Sequence, residues 1–198
     1  HNSATLQDWH NGTGDFEQKD GGSSLITTNG GGSITFAGKD IKLKNNGVSS
    51  SGGIKLYYND NINVDISSLA GKISSLAGLL EIYATKKLTL HKDITDSDIE
   101  GTGLKLVSQS KPSQYSDADY IVEMNNKSIN VTNKSITINS GGTNAFTVEP
   151  ITTNGGNVEI ISEGNINLNK NINAGSGNVN LNSSGSILDD NNNTTKVI

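Results

Sequence analysis

A short motif recurs along this chain at a fixed interval, and the interval limits the folds that the chain can adopt. GNVEI from Gly156 and GNVNL from Gly177 are about 21 positions apart, and GNINL from Gly164 and GSILD from Gly185 keep the same spacing. Two parts of one unit therefore recur together. Recurrence of whole units at a fixed period is the sequence signature of a solenoid.

The strands of each unit are marked by apolar residues on either side of a polar one. Ile34-Thr35-Phe36 and Val158-Glu159-Ile160 are examples, and they have the period of two that is typical of a strand with one buried face. Two or three such strands per repeat, joined by Gly, Asn and Ser corners, match one coil of a β-solenoid. The sequence predicts an all-β fold, a right-handed parallel β-helix with coils of about 20–22 residues and an irregular insertion in the middle.

The period also predicts which residues lie above one another. In a parallel solenoid, residue i covers the residue one coil later, at the roughly 4.8 Å separation of hydrogen-bonded strands. Val158 is therefore expected over Val179, and Asn157 over Asn178 at a corner where asparagine tolerates the left-handed conformation.

Composition agrees with a thin core and excludes several function classes. Only 32% of the 198 residues are apolar and 5% aromatic, too few for a thick packed core. The chain carries a net charge of −5 and contains no arginine, which argues against nucleic-acid binding. It has no cysteine for disulfides or thiolate metal sites. No apolar run approaches the roughly 18–20 residues of a transmembrane helix, and we expect no cofactor.

The segment Gly156–Asp189 resembles the filamentous-haemagglutinin and high-molecular-weight adhesin family of two-partner-secreted exoproteins, and Gly32–Val64 and Leu80–Ile94 resemble it more loosely. The resemblance implies that residues 1–198 are one β-helical segment of a larger exoprotein at the bacterial cell surface. It further implies an outer-membrane transporter as partner during secretion, and a glycan or protein on a host or neighbouring cell as ligand. The asparagine-proline secretion signature of the family is absent, so an exported shaft or adhesive segment is expected.

Three regions depart from the repeat. Residues 1–31 are expected to form either a cap or the first coils. Residues 66–80 contain a tandem duplication, ISSLAGKISSLAG, that fits either an extra strand and corner or a short helix, although Gly71 and Gly78 disfavour the helix. Residues 95–125 are expected to leave the coils as an extruded loop, and such loops often carry binding residues.

Four aromatic residues are the candidates for ligand contact. Tyr115 and Tyr120 fall in the expected loop, and Tyr58 neighbours another tyrosine, so one ring of that pair should face outward. Trp9 could stack on a sugar, since an aromatic face packs on sugar C–H groups, or could plug the core near the terminus.

The acidic stretches give little support for a metal site or a catalytic site. Asp96, Asp98 and Glu100 begin like a calcium loop, but Val107 stands where the twelfth-position glutamate is expected, which favours an acidic surface turn. A carbohydrate-active β-helix, a polysaccharide lyase or hydrolase, is the catalytic alternative, and it needs paired carboxylates or a basic residue. We therefore assign no catalytic or metal residues and predict a non-enzymatic adhesin, with an inert shaft as a further alternative.

Several Asn-x-Ser/Thr sequons occur, many of them expected by chance in a chain rich in these residues. The family resemblance implies that such sites can be glycosylated, and the candidates are Asn126, Asn130 and Asn133.

Overall fold

The computed structural model describes residues 14–18, 26–43, 47–59, 62–64, 73–108 and 120–189. These residues form 22 β-strands, and each strand pairs with its neighbours in parallel. The prediction of an all-β parallel solenoid is confirmed. No helix in the described ranges is long and apolar enough to cross a membrane.

One side of the solenoid is a continuous seven-stranded sheet, called here the long sheet. Because successive strands are one coil apart, its seven strands span six turns. The strands of the long sheet are β3 (Ile34–Gly38), β6 (Ile54–Tyr58), β9 (Leu79–Ala84), β12 (Gly103–Ser108), β15 (Ser135–Ser140), β18 (Val158–Ser162) and β21 (Val179–Ser183).

The other two sides consist of shorter strands in smaller sheets. The side that follows each long-sheet strand contains β1 (Phe16–Glu17), β4 (Ile41–Lys42), β7 (Ile62–Val64), β10 (Leu88–Leu90), β13 (Val122–Glu123), β16 (Phe146–Val148), β19 (Ile166–Leu168) and β22 (Ile187–Asp189). The side that precedes it contains β2 (Ile26–Thr28), β5 (Val48–Ser50), β8 (Ile73–Leu76), β11 (Ile94–Thr95), β14 (Ile129–Asn130), β17 (Ile151–Thr152) and β20 (Ile172–Asn173). A complete turn therefore has three strands.

The register agrees with the stacking predicted near the C-terminus. Val158 pairs with Val179. The backbone amide of Asn178 donates a 2.9 Å hydrogen bond to Asn157 Oδ1, so this pair also stacks. Neither asparagine has a positive φ, however, and the left-handed asparagines of the described residues are Asn125, Asn126, Asn133 and Asn154. The asparagine pair is held by its side-chain hydrogen bond rather than by a left-handed backbone.

Coil length is less regular than the sequence repeat predicts. Ile34 pairs with Ile54 after 20 residues, and the interval returns to 22 and 21 residues in the last two turns. Between them, the turns from Ile54 to Leu80, from Leu80 to Leu104 and from Leu104 to Ile136 take 26, 24 and 32 residues. The register of the long sheet is unbroken through these turns, whereas β5 and β8 shift by one residue between Val48 and Ser49. Most of the extra residues therefore lie between strands.

The core is a stack of aliphatic side chains inside the coils. Alternate residues of each long-sheet strand point inward, and Leu56, Leu106 and Ile138 are fully buried in one such row. Each buried aliphatic side chain contributes roughly 1.5–3 kcal/mol before entropy costs. The chain also packs closely at its corners, where a Cβ atom on Gly156 would lie 2.1 Å from the Lys134 carbonyl oxygen.

The irregular regions are only partly described. In 66–80, Ile73–Leu76 and the start of β9 are strands, as the strand-and-corner interpretation predicts, and 66–72 lie outside the described residues. In 95–125, Gly103–Ser108 and Val122–Glu123 belong to the coils rather than to a loop, because their apolar residues complete core rows. Residues 109–119 lie outside the described ranges. Within 1–31, β1 and β2 belong to the first coils.

Candidate functional site

Two of the four predicted aromatic contacts are buried. Tyr58 is 8% exposed and Tyr120 is 2% exposed, which corrects the expectation that their rings face a ligand. In β6 the inward phase is set by Ile54 and Leu56, so Tyr58 points inward. Burial, and secondarily the charge of Asp40, raises the pKa of Tyr58. The other two candidates, Tyr115 and Trp9, lie outside the described residues.

A cluster of apolar side chains lies on the outer face of the long sheet. It consists of Tyr57, Tyr83 and Val107, which occupy one outward row of β6, β9 and β12 and which we call the outer cluster. The tyrosine rings stack with centroids 4.4 Å apart and planes inclined by 27°. All three residues are buried, with exposures of 9%, 5% and 1%, although their side chains point away from the core.

A row of alternating charges accompanies the outer cluster. Glu81 lies between Lys55 and Lys105, with N–O distances of 3.3 and 3.9 Å. The Tyr83 hydroxyl donates a hydrogen bond to Glu81, and Lys105 Nζ lies 5.9 Å from the Tyr83 ring centroid. Burial, and then the bond to Glu81, raises the pKa of Tyr83. Because these polar groups engage one another, the arrangement is suited to joining strands rather than to reacting with a ligand.

The acidic stretch that begins like a calcium loop is occupied by a lysine. Lys134 Nζ lies 3.1 Å from Asp96 Oδ1, 3.1 Å from the Asp96 carbonyl oxygen and 2.7 Å from the Ile99 carbonyl oxygen. Asp98 Oδ2 accepts hydrogen bonds from the Thr95 amide and hydroxyl. Oxygen atoms that could ligate a cation thus surround an ammonium group. Among the described residues, no group of three His, Cys, Asp or Glu side chains could hold a metal.

The carboxylates of this stretch join neighbouring coils. Asp93 Oδ1 accepts hydrogen bonds from the Ser128 amide and hydroxyl, at 2.7 and 3.1 Å, and Asp96 Oδ1 accepts one from the Thr132 amide at 2.9 Å. These backbone donors are the main cause that lowers the pKa of both carboxyl groups. The acidic surface turn therefore has a structural use.

A polar groove opens on the outer face of the long sheet, across β15, β18 and β21. It is a depression of about 280 Å³. Six polar side chains line it in two rows, and we define the polar groove by them: Ser135, Asn157 and Asn178 in one row, and Thr137, Glu159 and Asn180 in the other. Neighbours within a row are one coil apart, about 4.8 Å, and the rows are two residues apart, about 6.7 Å.

Hydrogen bonds along the rows fix some of these side chains. Asn157 Oδ1 accepts a hydrogen bond from the backbone amide of Asn178, and Asn180 Nδ2 donates one to Glu159 Oε1 at 3.2 Å. Within the described part of the chain, no hydrogen bond engages the Thr137 hydroxyl or the side-chain amide of Asn178. The groove therefore has prearranged groups together with free donors and acceptors.

The three sequon asparagines are all exposed. Asn130 lies in β14, and Asn126 and Asn133 lie in corners with φ values of 56° and 54°. Their modification stays a prediction.

Apart from the stacked pair Asn157 and Asn178, the sequence reasoning did not single out the residues of either outer-face feature as a site, yet a signal for each exists. Aligning Gly156–Leu181 on its own repeat places Glu159 over Asn180, which marks the groove. Aligning IKLYY from Ile54 with LEIYA from Leu80 places Tyr57 on Tyr83, but the 26-residue interval hides this pair from a search at 20–21 residues.

Comparisons with known proteins add no relative. No protein-family model matches the chain, and no curated protein or solved structure matches it either. The resemblance to two-partner-secreted exoproteins stays a prediction.

Proposed function

We propose that this chain is a non-catalytic segment of a secreted surface adhesin or filament, in which a rigid β-solenoid presents a binding face to a glycan or protein on a host or neighbouring cell. The observation that carries the proposal is the unbroken long sheet. Its parallel ladder holds every outward side chain at fixed spacing over six turns. A ligand can then bind without ordering the backbone, which lowers the entropic cost of binding.

The carboxylates of the outer face are poorly spaced for glycoside hydrolysis. Glu81 and Glu159 lie in the same row but three strands apart, about 14 Å. Glycosidases separate their two carboxyl groups by roughly 5–9.5 Å. This geometry supports binding over hydrolysis on this face.

The family resemblance supports the cellular part of the proposal. A β-helical passenger segment is compatible with secretion through an outer-membrane transporter and with display at the bacterial cell surface. The described strands have the parallel coil architecture that such a segment requires.

The test is to immobilise the purified chain and to measure the binding of cells, glycans and proteins, with the heat-unfolded chain as control. The same preparation is incubated with acidic polysaccharides. We expect binding that requires the folded chain and no polysaccharide turnover. Turnover would replace the proposal by a carbohydrate-active enzyme, and absence of both binding and turnover would replace it by an inert shaft.

A further inference from the structure

We infer that the polar groove binds a single neutral sugar residue of a glycan through its hydroxyl groups. The inference rests on the proposed function and deepens it, since it assigns a place and a ligand class to the binding face. It starts from the six side chains that line the groove and from the groups among them that remain free to bond.

The size of the groove suits one pyranose ring. Sites for drug-sized ligands occupy about 300–1,000 Å³, and the groove, at about 280 Å³, falls just below that range. Its two rows, about 4.8 Å between neighbours and about 6.7 Å across, place polar groups where they can reach different hydroxyls of the same ring.

The chemistry of the lining matches hydroxyl groups. A hydroxyl both donates and accepts, as do the Thr137 hydroxyl and the Asn178 amide, whereas the Glu159 carboxylate only accepts. Among the described residues, the apolar ones that line the groove are Ile136 and Val158, and their side chains point inward and are buried. A peptide anchor or lipid chain would find no exposed apolar side chain of the described residues to pack against there.

The charge of the groove determines whether neutral or acidic sugars are favoured. Glu159 is the one charged side chain that lines the groove, and it is half-buried. The neighbouring cation in its row, Lys105, is directed to Glu81. A sugar that carries a carboxylate would meet an uncompensated negative charge at Glu159. Neutral hexoses and N-acetylhexosamines are therefore favoured over uronic and sialic acids.

The experiment titrates the full chain with methyl β-glucoside, methyl β-galactoside, methyl α-mannoside and N-acetylglucosamine, and separately with glucuronic acid and N-acetylneuraminic acid. Binding is followed by the amide NMR shifts of the groove residues and by calorimetry. We expect weak binding of at least one neutral sugar, with shifts confined to the groove, and no binding of the acidic sugars.

Matched variants test the site. The groove variant, Thr137→Ala/Asn180→Ala, removes one polar group from β15 and one from β21. The control variant, Thr147→Ala/Asn167→Ala, removes the same two kinds of side chain from the paired strands β16 and β19, which lie outside the groove. We expect the groove variant to weaken neutral-sugar binding about tenfold and the control to leave it unchanged. Glu159→Gln should admit the acidic sugars.

Three results would overturn the inference: no neutral sugar binds the unmodified chain, both double variants bind equally, or acidic sugars bind as tightly as neutral ones. These failures are separable from failure of the proposed function. If the immobilised chain still captures cells, the adhesive proposal holds and its ligand binds elsewhere. If it captures nothing, the adhesive proposal fails with the groove.

Discussion

The outer face of the long sheet differs between its two halves, while its inner face is aliphatic along most of its length. Over β6, β9 and β12 the outward residues form the buried outer cluster and a row of alternating charges. Over β15, β18 and β21 they form the open polar groove. The inner rows specify the fold in both halves, so the outer rows are free to differ in use. The first half reinforces the sheet, and the second contains the groove at which we propose that a ligand binds.

The largest contrast is expected from truncating one outward residue in each half. Tyr83→Ala removes a buried ring stacked on Tyr57 and should lower the free energy of unfolding by about 3–5 kcal/mol, as buried aromatic truncations do. Thr137→Ala, in the groove, should change it by less than about 0.5 kcal/mol. Urea unfolding measures both. Equal effects would remove the distinction between the two halves.

A second contrast lies within one inward row. Leu106 is fully buried in the middle of the long sheet, and Leu181 is only partly buried in β21, the last strand of that sheet. Leu106→Ala should cost about 2–5 kcal/mol. The same change at Leu181 should cost clearly less, because solvent already reaches that side chain. A larger loss at Leu181 would mean that stability depends on the last coil rather than on the middle of the stack.

The charge row gives a smaller effect. Glu81 is 12% exposed and has two lysine partners and a tyrosine donor, so Glu81→Gln should cost about 1–3 kcal/mol. Glu123→Gln is the control, because its partner Lys87 and the carboxylate are both more than one-third exposed. Such an exposed pair contributes about 0–1 kcal/mol. Unfolding at about 1 M salt should shrink the second effect more than the first.

The smallest effect concerns acid. Asp93 and Asp96 have pKa values lowered in the folded state, so their contribution to stability is present above the unfolded value near 3.8. It is lost as the pH falls through the lower folded values. Asp93→Asn/Asp96→Asn should therefore lose less stability than the unmodified chain between about pH 5 and pH 2. Parallel pH profiles of the two chains would show that these hydrogen bonds contribute nothing.

Sequence periodicity was sufficient for the solenoid and for the register where coils keep one length. Val158 over Val179 follows from a 21-residue identity, because parallel stacking places like residues on like. Periodicity did not predict the register where the corners lengthen, because the register there depends on strand pairing rather than on the number of residues per coil. Tyr58 shows a further limit: two adjacent tyrosines point in opposite directions, and the inward phase of Ile54 and Leu56 decides that Tyr58 enters the core, while Tyr57 is buried on the outer face by its neighbours.

The same reasoning explains the partial success at the candidate site. Asn157 and Asn178 were expected to stack, and together with Ser135 they form one row of the groove. To predict the other row, one must also know that Glu159 and Asn180 point outward on the same sheet as Thr137. Sequence alone aligned those two residues but did not connect them with β15, whose repeat unit has diverged.

Distances between spin labels test the central claim, that coils of unequal length stack so that the long sheet keeps one continuous parallel register. The chain has no cysteine, so pairs of introduced cysteines can be labelled selectively. From Thr35, labels at Lys105, Thr137 and Glu159 lie three, four and five strands away, which predicts backbone separations of about 14, 19 and 24 Å. The 32 residues before Thr137 and the 22 after it should each add the same step of about 4.8 Å. Steps that scale with the number of intervening residues, or separations that do not increase, would contradict the account.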